Sequence, residues 1–231
     1  MRGFCLEVSG AFACFTRPEM KVERVSYDVI TPSAARAIFD AILWKPALRW
    51  RITLIEVLAP IRWVSVRRNE VGKIANSRAG LYIEDARQQR AGLLLRDVKY
   101  RLHGEFDFIP PERRPSPVNR TPEWLAAGEE AEPPQGAETE AKYAAMFERR
   151  ASKGQRFHQP YLGCREFACD YRFIKPGEPR EQPIQESQDL GWMLYDLDYS
   201  EPKDPQAMFF RAEMKQGAIV VPHPDSEEVR R

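Results

Sequence analysis

The stretch LLLRDVKYRLHGEFDF, residues 93–108, constrains the fold most, because it alternates. Val98, Tyr100 and Leu102 fall on one side and Lys99, Arg101 and His103 on the other, the period of two that marks a strand with one face on a core. Its second face reads as wet, basic and edged by aromatics. Two other stretches repeat the pattern. In GFCLEVSGAFACF, Phe4, Leu6 and Val8 alternate with Cys5 and Glu7, a first strand in which Gly10 marks a bulge. ALRWRITLIEVLAPIRWVSVRRNEVG, residues 47–72, alternates with a break at Pro60, giving a second strand and then a third or a bent continuation.

Between these strands the period changes. Thr31 can cap a helix that Pro32 begins, with Ala34, Ala35, Ile38, Phe39, Ile42 and Leu43 on one apolar face, Arg36 and Asp40 on the other, and Pro46 as its stop. ETEAKYAAMFERRASKGQ, residues 138–155, is a second helix, apolar at Ala141, Ala144, Ala145 and Phe147 and ending near Gly154. An order of strand, helix, strand, irregular segment and strand predicts an α+β protein, with helices on one side of an antiparallel sheet in a ferredoxin-like or RRM-like arrangement. The chain divides accordingly. Residues 1–109 form that core, 110–137 a Pro-rich mobile segment, and 138–159 a helix and loop. LGWMLYDLDY and AMFFRAEMKQGAIVVP place a smaller, antiparallel β-sheet domain in 160–231.

The formal charge of +1 hides an asymmetry. Residues 1–120 carry 21 Lys and Arg against 13 Asp and Glu, whereas residues 121–231 carry 14 against 21. A basic half permits nucleic-acid binding, since phosphate attraction follows local clustering; two evenly solvated faces are the alternative. Cys5, Cys14, Cys164 and Cys169 are too few for a disulfide scaffold, and no His cluster completes a zinc site, so reduced thiols, no metal and no cofactor are expected. Glu7 interrupts any signal-peptide core and no run of about 18 apolar residues occurs. A cytoplasmic protein without a membrane partner is expected.

GxxxxGK[ST], GxGxxG, GxSxG and HExxH are all missing, which removes nucleotide hydrolases, dinucleotide oxidoreductases and the common hydrolases as first readings. Only His103, His158 and His223 supply imidazole, and His223, between two prolines, is a bystander. Metal-free RNA cleavage needs little more than a base for the ribose 2′-OH, a donor for the leaving oxygen and a cation for the phosphate. Lys142, Tyr143, Arg149, Arg150 and His158 bring those types together within one helix and its following loop, where a solvated amphipathic helix is the bland alternative. Lys21, Arg24 and Tyr27 ahead of the first helix, Lys45 behind it, Arg67 and Arg68, and the face bearing Lys99, Arg101 and His103 are the candidate phosphate and base contacts.

FTRPEMKVERVSYDVITPSAARAIFDAILWKPALRW, VRRNEVG, LLLRDVKYRLHGEF and KGQRFHQPYLGCREF together resemble the CRISPR-associated repeat-processing family of subtype I-C, the d form of the fifth Cas family. The resemblance covers most of residues 1–173. It implies an N-terminal ferredoxin-like domain with a smaller C-terminal β-sheet domain, and metal-free cleavage of precursor CRISPR RNA at the repeat hairpin. It also implies retention on the 5′ handle beside the backbone and large subunits of type I-C Cascade, with the cations of residues 17–24 helping to hold the RNA. Family members that process RNA carry a Tyr, Lys and His set. Lys142 matches the Lys, but Tyr143 stands where the pattern has His, and Leu43, just before Trp44, where it has Tyr. Tyr143, His158, His103 and Tyr27 are the candidate substitutes. Two other readings compete: a handle-binding subunit that does not cut, which Leu43 and Tyr143 favour, and a metal-dependent nuclease acting on DNA.

Overall fold

The computed structural model describes residues 3–20, 22–74, 80–114, 138–201 and 203–231. Lys21 and most of the Pro-rich stretch, residues 115–137, lie outside the described residues. The fold is mixed α/β and mostly antiparallel. Its centre is β5, Arg87–Phe108, of which the alternating stretch is the second part. It pairs antiparallel with β1 (Phe4–Ala13) on one side and β3 (Leu48–Val57) on the other. Its first part pairs antiparallel with β4 (Trp63–Val71) and parallel with the short β2 (Arg24–Val25), so one strand serves both ends of the sheet.

Two strands from the later part of the chain extend this sheet. β6 (Asp170–Ile174) pairs with β1, and β9 (Ala218–Val220) with β3, giving the order β6-β1-β5-β3-β9. A second, three-stranded sheet of order β10-β8-β7 holds β7 (Gln188–Asp198), β8 (Gln206–Met214) and β10 (Val229–Arg230).

The helices are α1 (Pro32–Ile42), a single turn α2 (Ile83–Ala86) and α3 (Glu140–Ser152). α1 starts as its sequence requires: Thr31 Oγ1 accepts the Ala34 N–H at 3.3 Å, and Pro32 occupies a position whose N–H has no helical partner. Ala35, Ile38, Phe39 and Ile42 are buried. On its polar face Arg36 pairs with Asp40 at 2.7 Å and reaches Asp196 of β7 at 2.7 and 3.0 Å, tying α1 to the second sheet.

α1 and α3 meet over one face of the large sheet through aromatic rings. Phe147 lies 5.6 Å from Phe39, 4.6 Å from Trp50 and 4.9 Å from Phe4. Gly104 seats the Phe39 ring: a Cβ there would stand 2.8 Å from Phe39 Cζ, so only glycine fits. A truncation such as Phe147→Ala in so dense a cluster costs about 3–5 kcal/mol.

The other face is not the wet surface that alternation predicts. Arg172, Glu7, Arg101 and Glu56 stand in register across β6, β1, β5 and β3, a row of alternating charge. Arg101 Nη2 lies 2.9 Å from Glu7 Oε1, and Arg172 reaches Glu7 Oε2 at 2.9 Å. The chain between β6 and β7 crosses this row, with Glu181 O accepting from Arg101 Nη2 at 2.7 Å and the Ile184 N–H bonding Val57 O at 2.9 Å. Arg101 is left 1% exposed.

Candidate active site

Three other parts of the chain converge on the end of α1. A helix leaves its last carbonyls without intrahelical donors. Here Ala41 O accepts the Phe157 N–H at 2.7 Å, Ile42 O accepts Arg150 Nε–H at 2.8 Å, and Leu43 O accepts Trp50 Nε1–H at 2.9 Å. The loop after α3, α3 itself and β3 are thereby fixed to one point. Trp44, Lys45, Arg149, Arg156 and His158 are all exposed on the segments so joined. His158 Nδ1 is 3.2 Å from Gln159 O and its ring stacks toward Tyr161 at 6.4 Å.

α3 connects this point to a second group of polar residues. Lys142 and Arg149 are seven residues apart, hence on one exposed face and about 10 Å from each other along the axis. Tyr143 and Arg150 form the neighbouring stripe. Arg150 meets Ile42, while the Tyr143 ring lies 6.0 Å from that of Phe108, which pairs with Leu48. Segment 42–48 therefore runs along α3 from its C-terminal to its N-terminal end. Thr139 caps the helix, its Oγ1 accepting the Lys142 N–H at 3.2 Å. A cleft of about 260 Å³ lined by Arg49, Asp107, Phe108, Ile109, Pro110 and Arg113 opens beside Phe108.

Tyr143 is buried at this end of the helix. Burial, and then the hydrogen bond to Glu138 and its charge, push its phenol above the ordinary value, with Arg114 opposing. Arg114 pairs with Glu138 and donates from Nε to Ile109 O at 3.0 Å. The carboxylate beside it outweighs the Arg114 cation.

The remaining candidates lie elsewhere. Lys99, Arg101 and His103 share the covered sheet face; Lys99 pairs with Glu181 and His103 Nε2 lies 2.7 Å from Glu56, so this face offers no open base-binding platform. Tyr27 is 1% exposed, its hydroxyl accepting the Leu194 N–H at 3.2 Å, because α1 and β7 close over it. It is a core residue. Arg17 lies 4.4 Å over the Tyr27 ring and pairs with Asp28 at 3.3 Å. Arg24 pairs with Glu70 at 3.4 Å, Arg68 pairs with Glu166, and Arg67 is exposed on the β4–β5 hairpin. Of the sequence-derived set, Lys45, Lys142, Tyr143, Arg149, Arg150 and His158 come together along α3.

Sequence reasoning missed Trp44, Phe157, Arg114 and Glu138. The aromatics carry no periodic signal, and their cue is that they stand outside any apolar stripe and beside cations. Glu138 and Arg114 meet only through the fold. Among the described residues no three His, Cys, Asp or Glu side chains gather as metal ligands, and no helix is long and apolar enough to cross a membrane.

Against known proteins, a family model described as CRISPR-associated protein (Cas_Cas5), of the Cas5d type, matches residues 3–222. A protein of Mannheimia succiniciproducens named CRISPR pre-crRNA endoribonuclease Cas5d is 46% identical over 243 aligned positions, covering 98% of this chain and 97% of the relative. One of Thermus thermophilus with the same name is 36% identical, covering 98% and 94%. A crystal structure described as a CRISPR-associated protein shares the fold at a TM-score of 0.67 and 24% identity, covering 100% of this chain and 97% of that one. A functionally uncharacterized protein from Streptococcus mutans does so at 0.64 and 24%, with the same coverage.

Proposed function

The chain belongs to the Cas5d family of CRISPR-associated proteins, and on that premise we propose that it is the endoribonuclease that cuts precursor CRISPR RNA at its repeats. The observation that carries this is near-full-length identity to two relatives named for that activity. The reaction is attack of a ribose 2′-OH on the adjacent phosphate, without a metal ion: the 2′-oxygen–phosphorus bond forms, the bond to the 5′-oxygen breaks, and the 2′-OH proton passes to solvent water, leaving a 2′,3′-cyclic phosphate and a 5′-hydroxyl. Lys142 faces solvent on α3 and supplies positive charge to the pentacoordinate phosphate. Tyr143, which keeps its proton, donates toward the leaving 5′-oxygen. His158 supplies an imidazole at the other end of the helix, and Lys45, Arg149 and Arg150 hold the strand between. Charge stabilisation and positioning with modest acid–base help suffice for an enzyme that remains on its product.

The product-bound protein then serves on the 5′ handle as a cytoplasmic subunit of type I-C Cascade, beside its backbone and large subunits. We read the large sheet with α1 as the ferredoxin-like, RRM-like unit of residues 1–109, with β6 and β9 added at its edges and β7, β8 and β10 as the smaller C-terminal sheet. Helices on one face of an antiparallel sheet support this reading.

The test is incubation with cognate repeat RNA in excess EDTA, followed by sizing of the products and analysis of their ends. One discrete cut leaving a 5′-hydroxyl is expected. Cleavage lost in chelator would instead favour a metal-dependent nuclease, with DNA tried next. A second reading, a handle-binding subunit that does not cut, has one observation in its favour: Leu43, where family members have Tyr, is buried and offers no hydroxyl. Tight binding without a cut in any buffer would establish it.

A further inference from the structure

Two large aromatic side chains stand in solvent at the end of α1. Phe157 is 81% and Trp44 61% exposed, although both are held by short main-chain connections to the buried last turn. Phe157 donates its N–H to Ala41 O, and Trp44 follows Leu43, whose own N–H bonds Phe39 O at 3.0 Å. A rigid backbone beneath an exposed ring is the arrangement that lets a ring stack on a ligand without first being ordered. His158 and Tyr161 continue the aromatic run, with ring centroids 6.1 Å from Phe157 to His158 and 6.4 Å from His158 to Tyr161.

The neighbours of these rings decide what they fit. Lys45 follows Trp44 directly, Arg156 precedes Phe157, and Arg149 is exposed on the last turns of α3. Aromatics interleaved with cations are the surface that single-stranded nucleic acid selects, bases on the rings and phosphates on the cations. Duplex bases are already stacked and present no faces.

We propose that Trp44 and Phe157 form a stacking platform for unpaired nucleotides flanking the repeat hairpin, with Lys45, Arg149 and Arg156 holding the intervening phosphates. The inference rests on the reading of the chain as a repeat-RNA enzyme and adds the part of the substrate that this end of α3 engages. The platform lies at the His158 end of the helix, so it would set which phosphate is presented along Lys142 and Tyr143.

The experiment uses two RNAs in EDTA, the cognate repeat hairpin with single-stranded flanks carrying 2-aminopurine and the same hairpin trimmed blunt. Trp44→Ala and Phe157→Ala should each weaken binding of the flanked RNA by about fivefold or more and reduce the quenching of 2-aminopurine. Binding of the blunt hairpin should stay unchanged, and Trp44→Phe should restore most of the loss. Wild-type affinity and quenching in both alanine variants would overturn the platform and leave this face to a protein neighbour. Equal weakening for both RNAs would overturn it too, as a general loss of hairpin contact. Cleavage by the wild-type protein is scored separately: a chain that binds but never cuts fails as an enzyme, while the two-RNA comparison still decides the platform.

Discussion

Arg150 of α3 donates its Nε–H to the carbonyl of Ile42, 2.8 Å away, so a residue read from the sequence as an RNA contact also joins the two helices. Arg150→Lys keeps the charge but loses the planar donor geometry. It should cost about 1.5–3 kcal/mol in a urea titration, the range of a hydrogen bond to a charged group. A melting curve identical to wild type with weaker RNA binding would mean that Arg150 serves the ligand alone.

Arg101 is a structural charge. Removing it in Arg101→Met leaves Glu7 and Glu56 facing each other across the covered sheet, and breaking such a buried network from one side costs about 3–5 kcal/mol. The exposed Lys99–Glu181 pair is worth about 1 kcal/mol at most, so Lys99→Ala should be nearly silent in the same unfolding assay. Comparable effects of the two would contradict the burial of Arg101.

Glu7 gives the protein an acid limit. Burial disfavours its charge, but hydrogen bonds from Arg172 and Arg101 outweigh that and hold its carboxyl below the ordinary value of 4.5. A group whose folded value is depressed stabilises fully above its unfolded value and ceases to do so as pH falls through the folded one. Stability should therefore drop below about pH 4.5, and Glu7→Gln, less stable at neutral pH, should show a shallower drop. Parallel acid profiles of the two proteins would assign the transition to other groups.

Lys142 and Arg67 separate chemistry from attraction. Lys142→Ala should slow cleavage by about 10²–10³-fold at saturating enzyme, the scale for losing one stabilising group, with hairpin affinity little changed. Arg67, on the hairpin, should act through phosphate charge alone: Arg67→Ala should lower the slope of log affinity against log salt by about one and leave the saturated rate intact. Exchange of these phenotypes would reverse the assignment.

Cys164 should react first among the thiols. The neighbouring Cys14, and Arg24 at 3.8 Å, hold it below the ordinary thiol value against burial, whereas burial pushes Cys5 up to about 11 and Cys169 up to about 12. Gly163, at a φ of +82°, lets the loop approach so closely that a Cβ there would stand 2.0 Å from Cys14 O. Iodoacetamide labelling followed by peptide mass spectrometry should show Cys164 modified at lower pH than the other three cysteines, with Arg24→Ala moving that onset higher. An onset near 8.5, the value of a free thiol, would mean the contact with Cys14 is absent in solution.

Local signals were legible in the sequence where they depend on neighbours a few residues away. Thr31 and Pro32 start α1 as read, α3 ends just before Gly154, and the inward set Val98, Tyr100 and Leu102 is buried. The reading failed where a distant strand decides. Arg101 has the period of a solvent residue, and nothing nearby in sequence indicates that Glu7 and Glu56 will stand beside it. Tyr27 likewise reads as a surface aromatic among cations, until a strand 167 residues later supplies the Leu194 N–H. Lys142 and His158 were legible as residue types. Their common relation to segment 42–48 was not, because it depends on three side-chain and main-chain donors converging on one helix end.

The pairing of β9 with β3 has a consequence for how the chain is made. β3 ends at Val57, and the late part of its outer edge is closed by Ala218–Val220 with the flanking Gly217 and Val221. A ribosome must therefore deliver Val220 before that edge is closed, and throughout translation the nascent sheet presents an unpaired strand to every neighbouring chain. Assembly of this protein is a race between the last strand of its large sheet and the strands of its neighbours.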